Sequence, residues 1–123
     1  MGLNEEKRQK NRSRACMIED DDTTLCIDPS LPFLSLMGKK YTMMVLGVIG
    51  NAGNKRNFNE IIRDIPFSST TIIARRLKDL QGLGLIKRDD NSTGVTYSLT
   101  DFGKIVRHGL LPLLRALQGA PQG

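Results

Sequence analysis

Apolar residues recur at helical intervals through most of the 123-residue chain, and alternate in only one stretch. In "LPFLSLMGKKYTMMVLGVIGN", residues 31–51, Leu34, Met37, Tyr41, Met44, Val45 and Val48 are spaced as on one helix. The segment "MMVLGVIG" is apolar nearly all round, which suits a helix in the middle of a bundle. Pro29 and Pro32 set its entry, and Gly50 with Asn51 ends it. In "NAGNKRNFNEIIRDIP", Asn57 or Asn59 can cap a short helix that buries Phe58, Ile61, Ile62 and Ile65 and stops at Pro66.

The next segment, "FSSTTIIARRLKDLQGLG", predicts a helix over about 69–82. Ser68 or Ser69 is its cap, and Gly82 and Gly84 lie at its end. Ile73, Leu77 and Leu80 form one buried stripe, so at about 3.6 residues per turn the opposite face carries Thr71, Ala74, Arg75 and Lys78. Arg76 and Ile72 fall on the flanks. Residues 85–99 read as a hairpin with strands "GLIKR" and "VTYSL", in which Val95, Tyr97 and Leu99 share a face, joined by the turn "DDNSTG". The last helix starts at the cap Thr100. Phe102, Ile105, Val106, Leu110, Leu113, Leu114 and Leu117 give it more apolar surface than one domain face needs, and Pro112 is expected to kink it.

The order is helix, short helix, capped helix, two-stranded hairpin, long helix. It predicts a mainly α, α+β fold: a winged helix-turn-helix with a hairpin wing and additional terminal helices for dimerisation. Residues 31–118 form this domain. Residues 1–30 are charge-blocked and read as a flexible arm, or as a helix that forms only on a partner. Residues 119–123 are a tail.

Charge sharpens this picture. The net charge is +5, and residues 55–88 carry eight Lys/Arg against three acids, so a polyanion would be held by the middle of the chain. The arm carries five bases against two acids in residues 1–15, then five acids and no base in residues 16–30. "EDDD" at 19–22 therefore favours a solvated tail over a DNA-binding arm. No apolar run is long enough to cross a bilayer, and the first residues lack the apolar centre of a signal peptide, so a cytoplasmic protein with no membrane contact is expected. Cys16 and Cys26 lack metal-ligand spacing and His108 is the single histidine, so no metal and no cofactor are expected. His108 has no acid-base partner in its helix, and "GLGLIKR" leads from helix to strand, the reverse of a phosphate-binding loop, so no enzyme is indicated.

The capped helix carries the chemistry of nucleic-acid recognition. Hydroxyls and backbone amides at a helix start meet phosphates, and Arg along an exposed face reaches base edges in the major groove. The DNA-contact candidates are Ser68, Ser69, Thr70, Thr71, Arg75, Arg76 and Lys78, with Lys87 and Arg88 at the base of the wing. The competing reading is a cap and a solvated charged face. Asp89 and Asp90 would be repelled by phosphate, and the tip from Asn91 to Gly94 has no cation. Val106, Leu110, Leu113, Leu114 and Leu117 are the candidate dimer interface.

Gly38-Lys39-Lys40-Tyr41, Phe58-Asn59-Glu60-Ile61, Pro66, Leu77-Lys78-Asp79-Leu80, Gly84-Leu85-Ile86 and Tyr97-Ser98-Leu99-Thr100-Asp101-Phe102-Gly103 occur in an order and spacing that resembles the HxlR-type winged-helix transcriptional regulators, a branch of the MarR-like group. The resemblance covers about residues 33–117. It implies a homodimer joined by terminal helices, with two recognition helices in successive major grooves of a double-stranded, pseudo-palindromic operator. The wing departs from the family pattern, lacking its prolines and its Arg before the second strand, and Thr71 stands where a Lys is usual. Operator preference therefore does not transfer. Some members sense oxidants or aldehydes through a Cys just before the first core helix. Cys26 lies in that neighbourhood, although Asp28 and the run Asp20–Asp22 disfavour its thiolate. Two other readings of the same fold are a non-specific DNA-coating or architectural protein and a protein-interaction module.

Overall fold

The computed structural model describes residues 16–51 and 55–120. They contain five helices and two antiparallel hairpins, in two compact units divided between Leu36 and Met37.

The first unit holds strands β1, Cys16–Asp20, and β2, Thr23–Ile27, paired from Cys16 with Ile27 to Asp20 with Thr23. This corrects the reading of residues 16–27 as an arm or a partner-dependent helix. Asp21 takes φ 50, a left-handed conformation that Asp tolerates, and lets the chain reverse. Ile18, Thr23, Thr24 and Ile27 are β-branched and fit a pleated strand. The acids that suggested a solvated tail sit at the tip of the hairpin, where water reaches them. Residues 1–15, the basic half of the expected arm, lie outside the described residues. Beyond β2, Ser30 donates to Asp28 Oδ1 from its backbone N–H, at 2.9 Å, and from its hydroxyl, at 2.7 Å. These bonds favour the charged carboxylate and hold its pKa below the ordinary 3.8.

The expected long first helix is broken. Helix α1, Pro32–Met37, ends before Gly38, and α2, Thr42–Ile49, begins after Tyr41, which has φ 71. The break resets the helical phase. Thr42, Val45, Leu46 and Ile49 are buried, whereas Leu34 and Met44, two residues of the predicted stripe, are exposed.

The second unit packs around α2. Helix α3 spans Phe58–Asp64 and starts at a capping box: Asn57 Oδ1 accepts from the Glu60 N–H at 2.8 Å, and Glu60 Oε1 accepts from the Asn57 N–H at 2.9 Å. Helix α4 spans Thr70–Gly82. Ser69 caps it, its Oγ accepting from the Ile72 N–H at 3.3 Å. Strands β3, Ile86–Asn91, and β4, Gly94–Leu99, form the second hairpin, and α5 runs from Asp101 to Gln118. Val45, Leu46, Ile49, Ile61, Ile73, Leu77, Leu80, Leu85 and Ile86 are wholly or almost wholly buried and form one aliphatic core.

Three arginines brace this unit. Arg56 is buried, pairs through its backbone with Tyr97 of β4, and forms ion pairs with Asp64 and Glu60. Arg107 of α5 donates to the Gly47 carbonyl at 2.8 Å, tying the last helix to α2. Arg76 of α4 donates from Nε to the Lys40 carbonyl at 3.0 Å and from Nη1 to Asp79 at 2.9 Å.

Candidate nucleic-acid interface

Helices α3 and α4 with the turn between them form the helix-turn-helix. Ile65 closes α3, Pro66 and Phe67 make the turn, and Ser69 caps α4. Ile73, Leu77 and Leu80 hold one side of α4 in the core. That anchoring sets the rotation of the helix, and Thr71, Ala74, Arg75 and Lys78 consequently point to solvent as one face. Thr70 is exposed at the helix start.

Two of the predicted contacts are not on this face. Arg76 is only 8% exposed, and its guanidinium is occupied by Lys40 and Asp79. Its position, 100° around the helix from Arg75, turns it toward the core flank. Charge alone could not separate the two neighbours, since both belong to the same basic run. The Ser68 hydroxyl is buried, so it cannot meet phosphate. The Ser69 hydroxyl is spent on the cap, although the residue is exposed.

The hairpin spans the expected residues, but its strands run further and its turn is shorter than expected. Asp89, Asp90 and Asn91 continue β3, and Ser92–Thr93 alone form the tip. The two acids have cation partners: Asp89 with Lys55 at 3.9 Å and Asp90 with Arg88 at 3.0 Å. These surface pairs screen the carboxylates from an approaching polyanion more than they stabilise the fold. Lys87 and Arg88 are both exposed. A cleft of about 340 Å³ lies between α4 and the wing, lined by Phe58, Ala74, Leu77, Lys78, Gln81, Arg88 and Tyr97. It brings Lys78 of the helix and Arg88 of the wing to one opening, an arrangement that sequence distance conceals.

The comparisons fit this geometry. A model of the HxlR-like helix-turn-helix matches residues 36–119. The chain belongs to the HxlR-like helix-turn-helix family. It is a transcriptional regulator with the helix-turn-helix DNA-binding domain of that family. The chain is 36% identical over 97 residues to YdzF of Bacillus subtilis (strain 168), an uncharacterized HTH-type transcriptional regulator, covering 74% of this chain and 84% of that one. Among solved structures it is similar to a possible HxlR family transcriptional factor from Thermoplasma volcanium GSS1, with a TM-score of 0.80 and 45% identity over 85% of this chain and 94% of the other. It is also similar to the reduced form of the transcriptional regulator YodB from B. subtilis, with a TM-score of 0.56 and 28% identity over 70% and 81% of the two chains. The HxlR-like match begins at residue 36, after the N-terminal hairpin.

The remaining sequence candidates belong to other elements. Of the proposed dimer residues on α5, Leu113 and Leu117 are about half exposed, at 46% and 50%, and Val106, Leu110 and Leu114 are half-buried. Phe102 and Ile105 add further exposed apolar surface. Cys16 and Cys26 are free and exposed. Cys16 pairs across the hairpin with Ile27 and Cys26 with Met17, so the two thiols lie on opposite faces of the sheet. Among the described residues, no helix is long and apolar enough to cross a membrane.

Proposed function

We propose that the protein binds double-stranded DNA sequence-specifically as a homodimer and regulates transcription from an operator with two half-sites. The observation that carries this reading is the outer face of α4. Thr71, Arg75 and Lys78 are exposed on the side opposite Ile73, Leu77 and Leu80, in a helix that follows a tight turn and borders the wing residues Lys87 and Arg88. In this reading Arg75 donates to a base edge, Thr70, Thr71 and Lys78 meet the backbone, and Lys87 and Arg88 hold the flanking strand. Arg76 positions α4 without touching DNA.

The exposed leucines of α5 support the dimer. A helix that packs on α2 and β4 yet leaves Leu113 and Leu117 in water has apolar surface to give to a second copy. Two copies would set two recognition helices about one turn of DNA apart, roughly 34–36 Å.

The test is binding measured by fluorescence anisotropy on duplexes selected from genomic fragments, with scrambled duplexes of the same length alongside. Arg75→Ala is expected to weaken selected DNA by roughly 10–100-fold and scrambled DNA much less. Equal losses on both would remove base reading from Arg75. A selected-to-scrambled ratio near one for the native protein would favour a DNA-coating role.

A further inference from the structure

One residue at the edge of the proposed interface is costly to the fold in two ways at once. Phe67 has φ +63, the left-handed region that bulky residues rarely adopt, and its side chain is fully exposed. The turn explains the backbone. Pro66 followed by a positive φ is the order of a type II turn, whose third position normally takes Gly or Asn. Gly would adopt this conformation without strain, and a small polar residue would suit the exposure. The chain instead places a large aromatic ring there, two residues before the cap of α4. Strain of this kind persists where the surroundings enforce it, and it concentrates at functional sites.

The ring is also the apolar member of an otherwise polar edge. Ser69, Thr70 and Thr71 follow it, all exposed, and none of them offers an aromatic surface. Residues at the start of a recognition helix meet base edges in the major groove. Phe can neither donate nor accept a hydrogen bond there. The one apolar group on the major-groove edges is the thymine C5-methyl, a known partner for Phe in direct readout.

We propose that Phe67 is a specificity-determining residue whose ring packs against a thymine methyl at the edge of each half-site. This inference rests on the DNA-binding reading above. The strained turn presents the ring, and Thr70 and Thr71, which meet the DNA backbone in that reading, set its distance from the groove.

The experiment compares Phe67→Gly and Phe67→Ala with the native protein. Phe67→Gly relieves the left-handed strain and is expected to raise Tm by roughly 2–4 °C, while weakening selected DNA about tenfold or more. Phe67→Ala keeps the strain and loses the ring, so it should weaken DNA to the same extent without the gain in Tm. Replacing thymine by uracil, one position at a time, removes only the methyl. One position in each half-site should weaken the native protein and leave both variants indifferent. Full affinity in Phe67→Gly overturns the proposal, as does the lack of any uracil-sensitive position that the variants erase. A change in solution mass in either variant would make the ring a protein contact and also overturn it. Failure of the native protein to bind any duplex would instead refute the DNA-binding reading itself.

Discussion

Two glycines of the second unit show how differently one atom can act. A Cβ on Gly103 would collide with the backbone carbonyl of Leu85, which cannot move without shifting β3. A Cβ on Gly50 would meet the end of the Arg107 side chain, which can swing away. Gly103→Ala is therefore expected to destabilise by about 1–3 kcal/mol, through overpacking at the junction of wing and α5. Gly50→Ala should lose no more than about 1 kcal/mol, the worth of the Arg107 bond to Gly47. Urea denaturation of both variants measures the difference, and equal midpoints would contradict it. Neither constraint was legible in sequence, because each depends on the approach of a segment far along the chain. The same holds for Arg75 and Arg76, adjacent and alike in charge, of which only the first faces solvent.

Elements were more legible than residues, because caps and punctuation act locally. The Asn57 and Ser69 caps, the Pro66 stop and the start of α5 at Thr100 all follow from short-range chemistry that the sequence displays. Asn57→Ala removes one half of the capping box and is expected to cost about 1 kcal/mol. Thermal melting should show it as a lowered Tm, with the folded circular dichroism spectrum kept. Elements set by phase or pairing were harder. The break at Gly38–Tyr41 was hidden because residues on both sides continued a helical spacing, yet within it Arg76 holds the Lys40 carbonyl and Tyr41 turns left-handed before α2. The N-terminal hairpin was hidden because its acids outweighed its alternation. The signal was there: "CMIED" and "TTLCI" flank a two-residue Asp turn.

For the whole molecule, the decisive surface is α5. Its surplus apolarity predicts a dimer, and the five residues Val106, Leu110, Leu113, Leu114 and Leu117 are partly or largely in contact with water. The double substitution Leu113→Glu with Leu117→Glu puts charge on the exposed side without touching the core. The variant should keep its circular dichroism spectrum, sediment at half the native mass, and bind a full operator at least tenfold more weakly, since the two half-sites would no longer be engaged together. A native protein already monomeric at binding concentrations would contradict the dimer.

The sequence by itself determined the order of elements, their caps, the buried stripe of α4 and hence which face of that helix looks outward, since these depend on spacing within a few turns. It also carried the family resemblance, through motifs whose order survives substitution. Tertiary structure decided which charged residues are structural. Arg56, Arg76 and Arg107 find carbonyls and carboxylates up to 60 residues away, and a guanidinium so held is spent on the fold. It decided as well that Lys78 and Arg88 share one cleft, and that a turn poised to favour glycine should hold up Phe67, because conformation and exposure at one residue are set by everything packed around it.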